Sequence, residues 1–128
     1  MTTFFLALLL VQPPAPEGSL CPAGSPDHGY TIQGVAYCQR RVPGKLRASI
    51  FARYGIPRGR WHLYELDHVI PLCLGGGNGP ENLWPELWVH AKRKDVLESR
   101  LCRALKAGKM TQAAAVVELR WVLSRSGP

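Results

Sequence analysis

Apolar residues recur along this chain with two different periods, and the change between them lays out its elements. From about Trp88 to Lys106 the period is helical. Val89, Val96, Leu97, Leu101, Ala104 and Leu105 fall on one stripe, and the remaining face carries Lys92, Arg93, Lys94, Arg100 and Arg103. Gly108 is placed to end that helix. Thr111 is placed to cap another through about Ser124, with Ala115, Val116, Leu119, Val122 and Leu123 turned inward. A shorter helix over Lys45 to Tyr54 sets Leu46, Ile50 and Phe51 on one side, and Gly55 with Pro57 stops it. Tyr64 to Leu74 is rich in β-forming residues and predicts a hairpin, with Pro71 where no ladder bond is required. Thr31 to Cys38 gives a weaker strand signal, with Thr31, Val35 and Tyr37 on one face and Gln33 interrupting it. Residues 12–30 keep no apolar period and are rich in Pro, Gly and Ser, which predicts linker or loop. The order is strand, helix, hairpin, helix, helix, an α+β pattern over residues 31–128.

A length of 128 residues suits one domain, and 46% hydrophobic residues suffice for a modest core. Lys and Arg number 16 against 9 acidic residues, a net charge of +7. That balance favours an anionic partner, nucleic acid first and an anionic membrane surface second. The apolar run from Phe4 to Val11 is far shorter than the roughly 20 residues that span a bilayer. It suits the centre of an export signal, although no Lys or Arg precedes it and Pro13-Pro14-Ala15-Pro16 is a poor cleavage region. A periplasmic or extracellular location is expected, with the cytoplasm as the alternative. Cysteines at 21, 38, 73 and 102 form no Cys-x-x-Cys pair, which argues against a structural zinc. An even count permits one or two disulfides, with three connectivities if all four pair; buried free thiols are the alternative, above all for Cys73 in its apolar run.

The chemistry concentrates in Tyr64-Glu65-Leu66-Asp67-His68-Val69-Ile70-Pro71-Leu72, then Gly75-Gly76-Gly77-Asn78, then Asn82-Leu83-Trp84-Pro85-Glu86. Cutting a phosphodiester needs a base to activate water and a cation to neutralise charge. His68 is the natural base, since an unperturbed imidazole is well populated as the neutral form at neutral pH. Asp67 is a hard oxygen ligand suited to Mg²⁺ or Mn²⁺. Ideal strand alternation points neighbours to opposite faces, so both serve one site only if the strand ends or bends there. Asn82 can donate and accept at once and is expected to lock the Gly-rich loop behind His68. Lys92-Arg93-Lys94 is expected to contact the nucleic-acid backbone. Trp61, Trp84 and Trp88 are candidates for stacking on bases, although Trp84 before Pro85 better suits packing of the loop. No base-reading pattern is visible, so weak sequence preference is expected.

These residues carry a resemblance to the HNH or His-Me-finger endonucleases. More narrowly, the chain resembles small, often exported bacterial members that read Tyr-Glu-x-Asp-His-x-Ile-Pro-Leu, Gly-Gly, then Asn-Leu-Trp-Pro-Glu. The match includes Tyr64, Glu65, Asp67, His68, Ile70 to Leu72, Gly75, Gly76 and Asn82 to Glu86. It extends through Ala91, Lys94-Asp95, Leu97-Glu98, Leu101 and Gly108 to Trp121, and upstream to Cys38 and Tyr54-Gly55, covering about residues 31 to 123. The resemblance implies a ββα-metal core with flanking helices, His68 as general base, Asp67 as metal ligand and Asn82 as structural amide. It implies one divalent ion, Mg²⁺ first and Mn²⁺, Ni²⁺ or Zn²⁺ as alternatives, and DNA as substrate, with RNA not separated from it. The family's remaining ligand stands on the helix about nine residues after the structural Asn. His90 is the candidate here, and Lys92 falls near that point in an alignment anchored on Lys94-Asp95. Glu65 is expected either behind the site, accepting from a basic helix residue, or in solvent. Related chains carry the cysteine of the family's disulfide to Cys38 about one turn beyond Cys102, where this chain has Lys106, a departure from the family's pattern at that position. A scaffold that binds nucleic acid without cutting it is the alternative function.

Overall fold

The computed structural model describes residues 15–31 and 34–125. Among these residues, two antiparallel hairpins and three helices make an α+β fold. In chain order these are β1 (His28–Tyr30), β2 (Ala36–Cys38), α1 (Gly44–Arg53), β3 (Tyr64–His68), β4 (Leu83–Leu87), α2 (Trp88–Lys106) and α3 (Gln112–Arg125). β1 pairs with β2, and β3 pairs with β4. Short 3-10 turns at Arg58–Leu63, Leu72–Leu74 and Pro80–Asn82 connect them.

All three helices lie close to where the periodicity puts them. Gly55 and Gly108 adopt φ of 67° and 71° just past the ends of α1 and α2, a backbone region in which only glycine is unstrained. Thr111 caps α3 by accepting the Ala114 N–H at 3.1 Å. The central hairpin differs from expectation. Its second strand is Leu83–Leu87, not the residues before Leu74, and Pro71 begins a 3-10 turn. Pro85 is tolerated inside β4 because alternate N–H groups of a two-stranded sheet point away from the partner strand.

Upstream, strand structure is shorter than the residue types suggest, reaching only Ala36–Cys38, while Ile32 and Gln33 lie outside the described residues. The stretch expected to be linker is instead part of the fold from Gly18 onward. Cys21 N–H donates to the Gly75 carbonyl at 2.8 Å, Gly77 N–H to the Ser19 carbonyl at 3.0 Å, and His28–Tyr30 forms β1. The run Phe4 to Val11 lies outside the described residues. Among the described residues no helix is long and apolar enough to cross a membrane.

The β3–β4 hairpin is covered on both faces. Leu66 and Leu83 pack with Ile50 and Phe51 of α1. Trp61 stacks on Phe51 at 4.6 Å between centroids, with the Arg47 and Arg58 guanidinium groups over the indole, so Trp61 belongs to the core edge and not to a base-stacking platform. A second cluster joins Ile70 and Leu74 to Leu101 and Leu105 of α2 and to Ala115, Val116 and Leu119 of α3. The stripe that α2 buries is Ala91, Lys94, Leu101 and Leu105, whereas Val89 and Val96 are exposed. Spacings of three, seven and four hold a single helical face, and Lys94 lies on it.

Two disulfides staple this framework, Cys21–Cys38 and Cys73–Cys102, with Cα–Cα distances of 5.3 and 5.7 Å. Cys73 is therefore bonded, not a free thiol, and Cys38 pairs with Cys21. The bonds close stretches of 17 and 29 residues, and each is expected to stabilise the fold by about 3 kcal/mol through the unfolded chain. Cys73 is exposed whereas Cys21 and Cys38 are buried. Mild reduction followed by alkylation and mass spectrometry should thus label Cys73 and Cys102 first. Prior labelling of Cys21 and Cys38 would contradict this packing.

Candidate functional site

The hairpin sorts the central residues by face. Successive strand residues alternate, so Glu65 and Asp67 of β3 share a face with Trp84 and Glu86 of β4. Leu66 and His68 take the other. In the ladder Glu65 lies opposite Glu86, and Asp67 opposite Trp84. α2 crosses the Asp67 face, because Lys94 Nζ reaches Asp67 Oδ2 at 2.6 Å. The same ammonium contacts Glu98 Oε1 at 2.6 Å and donates to the His68 carbonyl at 2.6 Å.

Lys94 is therefore not a backbone-contact residue on the solvent face: its side chain is 4% exposed. Burial alone would lower its pKa, but the Asp67 and Glu98 carboxylates outweigh burial and raise it, so the group stays charged. Its neighbours Lys92 and Arg93 are exposed. His90 is also exposed, on the first turn of α2, and makes no hydrogen bond or ion pair with Asp67 among the described residues. Nor do three His, Cys, Asp or Glu side chains converge on one point among those residues.

What reaches Asp67 instead is Glu86, a residue quoted in the sequence motif without a role. Glu86 is buried, and its Oε2 has no hydrogen-bond partner among the described residues. The indole N–H of Trp84, on the same face, is also buried without one. Burial first, and then the hydrogen-bonded Asp67 carboxyl, push the Glu86 pKa up to about 8. Burial likewise lifts Glu98 to about 7 against the pull of Lys94. Glu65 is raised by burial, then by Asp67 and Asp95. A carboxyl more basic folded than unfolded stabilises the fold below its unfolded value near 4.5, and that contribution is lost as pH rises through about 8 for Glu86. Glu86→Gln removes this loss, so its melting temperature relative to wild type should climb between about pH 5 and about pH 9. Parallel melting curves for the two proteins across that range would contradict a strained Glu86.

On the other face, His68 is 4% exposed. Its Nε2 lies 2.9 Å from Asn78 Oδ1, and Asn78 Nδ2 donates to the Gln39 carbonyl at 2.6 Å. Nδ1 of His68 has no protein hydrogen-bond partner among the described residues. Burial lowers the His68 pKa despite the opposing hydrogen bond to the Asn78 side chain, and the nearby Arg40 adds to the lowering. The ring is therefore neutral at physiological pH. Arg40 is exposed and follows directly on the Gln39 carbonyl that holds Asn78. An open cleft of about 470 Å³ borders Asn78 and is lined also by Asp27, Cys38, Arg41 and Glu81.

Asn82 is wholly buried between the connections. Its Oδ1 accepts the N–H groups of Ile70 at 2.9 Å and Ser19 at 3.1 Å. Its Nδ2 donates to the carbonyls of Ile70 at 3.0 Å and Gly77 at 2.8 Å. The amide thus ties the segment after β3 to the Gly-rich loop and to the N-terminal segment. Within that loop Gly75 has a φ of 92°, and a Cβ on Gly76 would collide with the Ile70 carbonyl. Asp67 and His68 are consequently adjacent in sequence but aimed to opposite sides of β3, with Lys94 bridging the Asp67 carboxylate and the His68 carbonyl.

No protein-family model matches the chain, and neither a curated protein nor a solved structure is significantly similar to it.

Proposed function

We propose that this protein is a nucleic-acid phosphodiesterase of the ββα-metal type, cutting DNA with little sequence preference and acting outside the cytoplasm. The observation that carries this reading is the setting of His68. It is a buried imidazole kept neutral by burial, hydrogen-bonded among the described residues at one nitrogen only, and beside the exposed Arg40 in a chain of net charge +7. The hairpin followed by α2, with a buried Asn82 locking the loop between the strands, supports it.

In this account His68 takes a proton from water as the water oxygen bonds to phosphorus. The bond from phosphorus to the departing oxygen breaks, and that oxygen is reprotonated from solvent. Arg40, Lys92 and Arg93 hold backbone phosphates. The residues that fit a divalent ion are Asp67 and Glu86, hard oxygen donors of which one, Glu86 Oε2, is buried without a partner among the described residues. Such an ion, Mg²⁺ by the all-oxygen donor set, would supply neutralisation of charge on the phosphate and the departing oxygen; since Asp67 and His68 face opposite sides of β3, it shares one phosphate with the imidazole only across the end of the strand, which is His68 itself. His90 does not belong to this set. Asn82 holds the loop that carries Asn78.

One observation favours a second reading, a nucleic-acid-binding scaffold without cleavage: the ammonium of Lys94 already neutralises Asp67 at 2.6 Å. The two separate in a single gel series. A nuclease degrades DNA when Mg²⁺ or Mn²⁺ is supplied and stops in EDTA. A binding scaffold retards DNA in EDTA, weakens steeply with salt, and leaves it intact in every metal.

A further inference from the structure

We propose that Asn78 is a positioning residue that fixes the tautomer of His68 and so makes Nδ1 the nitrogen that accepts the proton from water. This rests on the assignment of His68 as the base. The Gln39 carbonyl can only accept, so the end of the Asn78 amide that meets it at 2.6 Å must be the NH₂ group. The other end, 2.9 Å from His68 Nε2, is then the carbonyl oxygen, which also can only accept. Nε2 must therefore carry the hydrogen. In the neutral ring that leaves the lone pair on Nδ1, which has no protein hydrogen-bond partner among the described residues.

The acceptor at the end of the chain is itself held. Gln39 N–H donates to the Asp27 carbonyl at 2.9 Å, and the preceding residue, Cys38, is bonded to Cys21. The β1–β2 hairpin, which lies outside the catalytic hairpin, thus acts on the base through one side-chain amide. Asn78 touches neither substrate nor the reacting atoms in this role.

The test reads the ring directly by long-range ¹H–¹⁵N correlation spectra of ¹⁵N-labelled protein at a pH where His68 is neutral. Wild type is expected to show the Nε2–H form of His68, and a predominant Nδ1–H form overturns the proposal without any variant. Asn78→Asp keeps an acceptor for Nε2–H and should retain the tautomer. Asn78→Leu removes the acceptor and should give a mixture, with single-turnover cleavage reduced about tenfold at unchanged substrate affinity. An Asn78→Leu protein that stays wholly Nε2–H also overturns it. Because the spectra need no cleavage, a protein that cuts nothing but shows the predicted tautomer separates failure of the nuclease reading from failure of this one.

Discussion

Replacing His68 with alanine is expected to slow DNA cleavage by about 10²- to 10⁴-fold while leaving the fold intact. The magnitude is that of losing a positioned base from a reaction whose nucleophile is water. The fold survives because the imidazole makes, among the described residues, one side-chain hydrogen bond, to Asn78, and the backbone around it is held elsewhere. Val69 N–H donates to the Asn82 carbonyl at 2.8 Å, and the His68 carbonyl accepts from Lys94 at 2.6 Å. Single-turnover rates at saturating protein, with circular dichroism and a melting curve on the same preparations, check both halves. A variant cutting at the wild-type rate would remove His68 from the chemistry. A variant that does not fold would show that the imidazole is a core residue first.

The largest effect on stability is expected at Asn82. Asn82→Ala leaves the N–H groups of Ser19 and Ile70 and the carbonyls of Ile70 and Gly77 without their partner, in a region with no exposure at residue 82. An unsatisfied buried polar group costs about 1–3 kcal/mol. The four are coupled and their costs do not add, so a loss of about 3 kcal/mol or more is expected. For a domain whose whole stability is about 5–15 kcal/mol, that is a large fraction. Asn82→Asp is also expected to destabilise, since it keeps the accepting oxygen but turns a second oxygen toward two carbonyls. Urea unfolding of the three proteins measures both. A loss below about 1 kcal/mol for the alanine variant would show that water replaces the amide and that the loop is not locked by it.

The parts legible in the sequence are those set by local periodicity and by residue type at a turn. The three helices, the glycine stops at 55 and 108, and the Thr111 cap were all visible, because each depends on residues within a few positions. The loop-tying amide at Asn82 was visible because an Asn side chain can donate and accept at once and this one stands where the Gly-rich loop returns to a strand. The second hairpin strand was hidden because Pro85 and Glu86 are residue types depleted in strands and the stretch shows no apolar alternation; its pairing with β3 is a long-range event.

Lys94 was misplaced for a related reason. Within Lys92-Arg93-Lys94 charge suggests solvent, yet the series Ala91, Lys94, Leu101 and Leu105 keeps one helical face, and carboxylates at Asp67 and Glu98 compensate the burial. That spacing was the available signal. Glu86 and Asn78 were missed because their roles depend on partners 19 and 39 residues away, Asp67 and the Gln39 carbonyl. The same is true of the segment from Gly18 to Tyr30, whose lack of an apolar period concealed backbone hydrogen bonds to the Gly-rich loop.

Everything proposed for this chain depends on the placement of His68 in a working phosphodiesterase site. That placement is tested most directly by incubating supercoiled plasmid with the purified, oxidised wild-type protein in Mg²⁺, Mn²⁺, Ni²⁺ or Zn²⁺, each with and without EDTA. Nicked and then linear DNA is expected with at least one of these ions, Mg²⁺ foremost, and intact plasmid wherever EDTA is present. Plasmid that remains supercoiled with all four ions would contradict it.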